Sequence, residues 1–345
     1  MRVPRAILIA ALLVAMAALG HASAGPPSLH RQVRRLMGTL CEIQVYHEDA
    51  MLAAKAIAAG LDEMQRVDRL LSNYAPDSEL SVMNRTAATA PAVVSAELFA
   101  FVRQCGEYVE RTRGAFDPTV GPLVRAWGFT TSSPAEPSAA AIADAKARSG
   151  FDKVRLDKEA RTVSFAVAGM EIDPGGIGKG YAVDRAVDVL ARAGVASALV
   201  SAGGSTLFAI GHPPEHDAWR VAIGDPANLE TPLAIVRLRD ASISTSGVSY
   251  RSVRAGERRY SHIFDPRSGE PVEHMCQASV VAPTATLSDA LSKAAFVVSR
   301  ADLADVLANT AGAHALRLEG SCGTGGPPWN TPWSAAVFQD RSPAR

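Results

Sequence analysis

The stretch Asp173-Pro174-Gly175-Gly176-Ile177-Gly178-Lys179-Gly180 puts four glycines, an acid and a lysine into eight residues. Glycines let backbone N–H groups approach a phosphate closely, and a helix that follows adds its positive N-terminal end. The spacing excludes the two common nucleotide loops. A Walker A loop needs a glycine five residues before Gly178, and Asp173 stands there. A dinucleotide fingerprint begun at Gly176 needs its third glycine at Tyr181; one begun at Gly178 needs it at Val183. The bland alternative is a flexible turn.

Three further stretches carry chemistry. Gly114-Ala115-Phe116-Asp117-Pro118 sets a buried-type aromatic beside an acid, which alone reads as a turn. Tyr260-Ser261-His262-Ile263-Phe264-Asp265 holds a histidine and an aspartate close together, and a lone histidine is more often satisfied structure than a catalyst. Asp289, Ser292 and Lys293 share one face of an apolar helix. A carboxylate plus a hydroxyl there suits a hard cation that takes oxygen ligands; a solvated Asp–Lys pair fits the same pattern equally well.

The elements that must position these groups show as periodicity. Leu40 to Tyr46 reads as a strand and Met51 to Leu71 as a helix. Leu98, Phe101, Val102, Cys105 and Val109 mark a second helix that Gly114 stops. Thr130 to Ala141 reads as a loop, and the glycine turn feeds a helix from Tyr181 to Ala193. Strands are expected at Ala196 to Ser201, Trp219 to Ile223, Leu233 to Leu238, Ala278 to Ala282 and His314 to Glu319, with a helix from Leu287 to Val298. After Glu319 the pattern reads as loop. Strands and helices mix without a βαβ repeat, so the class is α+β.

Lys+Arg and Asp+Glu are equal at 35 each, which gives no basic footprint for nucleic acid. Arg2 and Arg5 precede an apolar run from Ala6 to Leu19 and then Ala22-Ser23-Ala24, the pattern of a cleaved secretory signal over residues 1–24. The run is shorter than the roughly 20 residues that span a bilayer. A periplasmic chain follows, in which disulfides are permitted. Cys41, Cys105, Cys276 and Cys322 match no zinc spacing; Cys105 lies on an apolar helix face, and one disulfide of undetermined pairing is allowed.

Together the motifs resemble the FAD:protein FMN transferase family, the ApbE family. The resemblance runs in order through Met37-Gly38-Thr39, Leu71 to Tyr74, Ser78 to Ser81, Asn84, Gly114 to Phe129, Asp173 to Asp184, Gly203-Gly204, Ser244 to Gly247, Ser261 to Pro271 and Asp289-Ala290-Leu291. It implies one two-lobed, T-fold-related α+β domain over residues 25–340, with FAD in the central cleft. It further implies flavin-nucleotide contacts at Met37, Tyr74, Ala115, Phe116, Asp117, Gly175, Tyr181 and Ile263. Gly178 (through its carbonyl) and Asp289 match ligands of a divalent metal, Mg2+ first, and His262 matches a histidine implicated in catalysis. The family usually has Thr four residues after the metal Asp, where this chain has Lys293. Ammonium donates only and cannot ligate, so Ser292 is the substitute oxygen, unless Lys293 itself replaces part of the metal's charge.

The resemblance implies attack by a Thr or Ser hydroxyl on the FMN-side phosphorus of FAD, with AMP leaving. His262 is the first candidate base, since an unperturbed imidazole titrates near neutrality; Asp117 or Asp265 is the second. Acceptors would be flavoprotein subunits of exported or membrane redox systems, with membrane-surface association only through the acceptor. Two alternatives share the pocket: an FAD pyrophosphatase yielding FMN and AMP, and a periplasmic FAD-binding protein with weak or no catalysis, which Lys293 favours.

Overall fold

The computed structural model describes residues 25–129, 136–248, 252–255, 258–320, 322, 329–330 and 338–339. The expected signal segment, 1–24, lies outside them. Strands are β1 (Ser28–Leu36), β2 (Thr39–His47), β3 (Ala92–Val93), β4 (Val154–Asp157), β5 (Thr162–Phe165), β6 (Ala198–Ala202), β7 (Thr206–Ile210), β8 (Trp219–Asp225) and β9 (Asn228–Leu238). They continue as β10 (Ala241–Gly247), β11 (Ser252–Ala255), β12 (Arg258–Ser261), β13 (Phe264–Asp265), β14 (Glu270–Pro271), β15 (Met275–Ala282), β16 (His314–Glu319), β17 (Trp329–Asn330) and β18 (Phe338–Gln339). Helices are α1 (Ala50–Leu71), α2 (Glu79–Thr86), α3 (Ala96–Arg111), α4 (Gly121–Ala126), α5 (Ala139–Ala147), α6 (Gly178–Arg192), α7 (Ala285–Val297) and α8 (Arg300–Ala308).

One eight-stranded sheet, in the order β1-β2-β6-β7-β10-β15-β16-β17, is the frame. Its pairings are antiparallel, as an α+β class expects. α1 packs on β1 and β2, α6 on β6 and β7, and α7 on β10 and β15, so three helices side by side cover one face. Trp219, Val221, Ile223, Val236 and Leu238 of the β18-β9-β8 sheet meet Ala209, Ile243, Val281 and Leu316 of the large sheet and seal the other. β2 alternates as a half-covered strand, with Cys41, Ile43 and Val45 fully buried, whereas every residue of β15 is buried. The main core runs unbroken from this stack into α3 and β5, so the chain forms a single domain.

Local chemistry sets the helix starts. Asp49 accepts from the N–H groups of Met51 at 2.7 Å and Leu52 at 3.0 Å; Ser78, Ser95, Ser138, Thr284 and Ser299 cap five more helices. The β1–β2 hairpin turns on Met37 and Gly38, both with positive φ (52° and 71°), as a two-residue turn of matching twist demands. A methionine there is unusual, and Asp68 of α1 holds its N–H at 2.8 Å.

The structure departs from expectation at weakly patterned segments. β1 is an edge strand with Leu29 and Val33 exposed, so no alternation marked it. α5 begins inside the stretch read as loop from Thr130 to Ala141, of which residues 130–135 lie outside the described set. α8 is only nine residues long, and the two-residue strands β17 and β18 follow Glu319, where loop was expected. Among the described residues no helix is long and apolar enough to cross a membrane.

Cys276 of β15 pairs with Cys322, 46 residues away; Cys41 and Cys105 are free and buried. The bond closes a loop that includes α7, α8 and β16. Opening it with Cys276→Ser should cost about 2–4 kcal/mol, read as a lower urea midpoint in the non-reduced protein. An unchanged midpoint would mean that the bond does not constrain the unfolded chain.

Candidate active site

The glycine turn is built by Asp173, whose Oδ1 accepts the Gly175 N–H at 2.7 Å and caps a short 3-10 turn over Pro174–Gly176. α6 begins at Gly178 and lies against α7 so closely that only glycine fits at position 180. A Cβ there would stand 2.2 Å from the Ala285 carbonyl oxygen and 2.8 Å from Asp289 Cβ. Gly180→Ala must push the two helices apart and should cost at least about 1–3 kcal/mol, seen as a fall in Tm. Near-wild-type melting would show that the helices separate freely.

This close approach brings the Gly180 N–H to Asp289 Oδ2 at 2.9 Å. Asp289 is fully buried, and Lys293, one turn along α7, pairs with Oδ1 while keeping 18% side-chain exposure. At the start of α7 the Asp184 carboxylate accepts the Ala285 and Thr286 N–H groups at 2.7 and 2.8 Å. Burial pushes the Asp184 carboxyl up, and these hydrogen bonds oppose the rise. Lys179 reaches Ser205, in the turn between β6 and β7. Burial pulls its ammonium down; Asp289 works against that and Lys293 adds to it.

Several predicted residues gather here. A Cβ on Gly176 would lie 3.3 Å from the Phe116 ring and 3.7 Å from Lys293 Cγ, and one on Gly178 would lie 3.7 Å from Met37 Cε. Met37, Phe116, the glycine turn, Lys179, Asp289 and Lys293 therefore form one locus. Ala115 and Phe116 are buried beneath it, and the Phe116 N–H donates to Thr112 at 3.1 Å. Gly175 is exposed at its rim. His262 is half-buried between buried Ser261 and Ile263; the Ile263 N–H donates to the Ser261 hydroxyl at 3.1 Å.

Others stand apart. Tyr74 is 75% exposed on the loop after α1. The Tyr181 ring turns to α3, stacking edge-on to Phe101 at 5.1 Å, with its hydroxyl 3.3 Å from Glu97 and pushed up to about 12, first by burial. Asp117 spends its carboxylate on the N–H and hydroxyl of Thr119 (2.8 and 2.6 Å) and the Phe151 N–H (3.0 Å). Burial pushes it up. Asp265 is gripped by Arg267 at 2.9 Å; burial works to raise its carboxyl, but the Arg267 hydrogen bonds outweigh that and hold it low. Each aspartate thus accepts three hydrogen bonds from its own neighbours.

The donor set named for a divalent ion does not fit one as it stands. Both Asp289 oxygens are engaged, one by a resident ammonium. The Ser292 hydroxyl lies 2.8 Å from the Asp289 carbonyl and 2.8 Å from the Ser246 hydroxyl, within a buried ladder of serines between β10 and α7. Among the described residues no three of His, Cys, Asp and Glu group as metal ligands. The Asp68 clamp on Met37 and the Lys179–Ser205 contact had no signal in spacing, because both join distant strands and helices.

A cavity of about 430 Å³ lies elsewhere, lined by Trp127, Tyr260, Glu136, Glu270 and His274. It belongs to the aromatic cluster of Trp127, Phe129, Tyr260 and Phe264 and includes none of Asp289, Lys293 or His262.

A family model described as the ApbE family matches residues 37–317. A Treponema pallidum (strain Nichols) protein named FAD:protein FMN transferase is 33% identical over 300 residues, covering 81% of this chain and 82% of its own length. One of the same name from Salmonella typhimurium is 36% identical over 262 residues, covering 74% of each chain. The crystal structure of the ApbE protein of Thermotoga maritima superposes with a TM-score of 0.78 at 29% identity, covering 85% of this chain and 96% of its own. The flavin transferase ApbE of Vibrio cholerae gives 0.76 at 26% identity, covering 89% and 98%. With a matching order of motifs, a matching fold and relatives of this similarity over most of its length, the chain belongs to the ApbE family.

Proposed function

We propose that this chain is a FAD:protein FMN transferase, which moves the FMN half of FAD onto a Thr or Ser hydroxyl of an exported or membrane-bound redox protein and releases AMP. The observation that carries the reading is the glycine turn opening α6 over two lysines, with the Phe116 ring packed against Gly176. Backbone N–H groups at a helix start and ammonium groups beside them suit a pyrophosphate, and an aromatic beside them suits a ring system.

In the proposed step the acceptor hydroxyl oxygen bonds to the FMN-side phosphorus. The bond from that phosphorus to the bridging oxygen breaks, and AMP leaves with the electron pair. The hydroxyl proton passes to His262. Holding nucleophile and leaving group in line is the larger share of such catalysis. Mg2+ has no step here, because Asp289 and Ser292 are already engaged. Residues 1–24 act as the export signal, and the Cys276–Cys322 pair suits the oxidising periplasm to which it would lead.

The test is incubation of the mature chain with FAD and an acceptor peptide bearing a Ser/Thr flavinylation motif. A mass gain of one FMN moiety with equal AMP is expected. AMP and free FMN without a mass gain, across several acceptors, would replace this reading with the pyrophosphatase.

A further inference from the structure

We infer that the Lys293 ammonium is the resident cation of the Asp289 site: it occupies the place of a divalent ion, so the unmodified chain holds the FAD pyrophosphate without one. The inference rests on the flavin-transferase reading of this cleft. Three features of the site carry it.

The first is the pairing itself. Asp289 is fully buried on a helix crossing that admits no side chain at position 180, so its charge must be compensated from within reach. One oxygen takes the Gly180 N–H at 2.9 Å and the other takes Lys293. A divalent ion on this carboxylate would have to displace the ammonium, and the two cations would then face each other across a few ångströms of low dielectric.

The second is the route of the lysine stem. Lys293 Cγ runs beneath Gly176, 3.7 Å from where a Cβ would sit, and so under the glycine turn. The stem therefore leads from beneath the turn to the ammonium's place on Asp289. Of its three donors, one is spent on Asp289 and one points at Ser292 Oγ at 3.4 Å. The side chain as a whole keeps 18% exposure.

The third is charge. Asp289 with a divalent ion would carry +1. Asp289 with Lys293 carries zero. Lys179 reaches Ser205 in the same locus in either case, so the sum falls from +2 with the ion to +1 with Lys293. The field offered to a pyrophosphate keeps its sign with no ion bound. Threonine at position 293, the family's usual residue, supplies a ligand oxygen but no charge and would leave Asp289 open to an ion.

The experiment titrates the full mature chain with Mn2+ and follows the six-line resonance of the free ion, in wild type and in Lys293→Thr. Flavin fluorescence measures FAD binding in EDTA and in Mn2+. Wild type should leave the free-ion signal as in buffer and should bind FAD equally in both media. Lys293→Thr should take up about one Mn2+ per chain, reversed by Mg2+. Its FAD binding in EDTA should fall roughly tenfold to hundredfold, the loss of one charge-assisted contact, and recover with Mn2+. Stoichiometric Mn2+ uptake by wild type, or a folded Lys293→Thr protein that takes up none, would overturn the inference. Lys293→Gln, which keeps most of the stem and offers an amide oxygen, is the second variant if threonine prevents folding. If no form of the protein binds FAD in either medium, the flavin-site reading fails on its own, while the Mn2+ arm still decides what Lys293 does.

Discussion

Asp289→Ala should unfold at a markedly lower urea concentration than the parent, with a loss near 3 kcal/mol. Removing one partner of a buried ion pair costs about 3–5 kcal/mol, because the other charge stays behind. The lower end applies, since the Lys293 tip retains some exposure and can turn toward water. The Gly180 N–H loses its acceptor in the same change. Two companion variants separate these effects. Asp289→Asn keeps an acceptor for Gly180 while losing the charge. Asp289→Leu combined with Lys293→Met removes both charges and should recover most of the stability, because a well-packed apolar pair often replaces a buried ion pair without loss. Transfer of FMN should be abolished in all three, the double variant included. A single alanine variant as stable as the parent would show that the pair is not holding α6 to α7.

His262→Gln should slow transfer by about 10²–10⁴-fold while FAD affinity stays near the parent's. The imidazole sits beside the Ser261–Ile263 hydrogen bond on a segment that the Ile263–Val272 backbone bond pins at 2.9 Å, so glutamine should leave its course intact. A base must be unprotonated to accept a proton. Glutamine cannot take that proton, so the loss should fall on the rate of transfer rather than on FAD affinity. Equal loss of FAD affinity and rate would instead make His262 a binding contact. An unchanged rate would move the base elsewhere, with Asp117 and Asp265 the next to test, each already accepting three hydrogen bonds.

The sequence by itself determined the strongly periodic elements and the short-range chemistry. α1 and α6 bury one face each, so their apolar spacing was visible, and the caps at Asp49, Ser78 and Ser95 are local. β2 alternates because one face is covered. The glycine turn is legible because glycine at position 180 answers to a steric demand that no other residue meets. β1 escaped because an edge strand exposes its apolar residues, and β17 and β18 because two residues make no period.

Only the tertiary structure decided what the site residues touch. Asp289, Ser292 and Lys293 looked equally like a cation site and like a solvated pair, since spacing fixes a helix face but not what that face meets. The crossing of α6 and α7 buries Asp289 and gives it Lys293 and the Gly180 N–H as partners. Tyr181 lies one residue beyond the glycine turn, yet its ring belongs to α3, because successive side chains on a helix diverge by about 100°. Met37 depends on Asp68, and Lys179 on Ser205, across stretches of chain whose meeting no local pattern encodes. Periodicity and turns are properties of neighbours along the chain; charge compensation and access to a cleft are properties of neighbours in space.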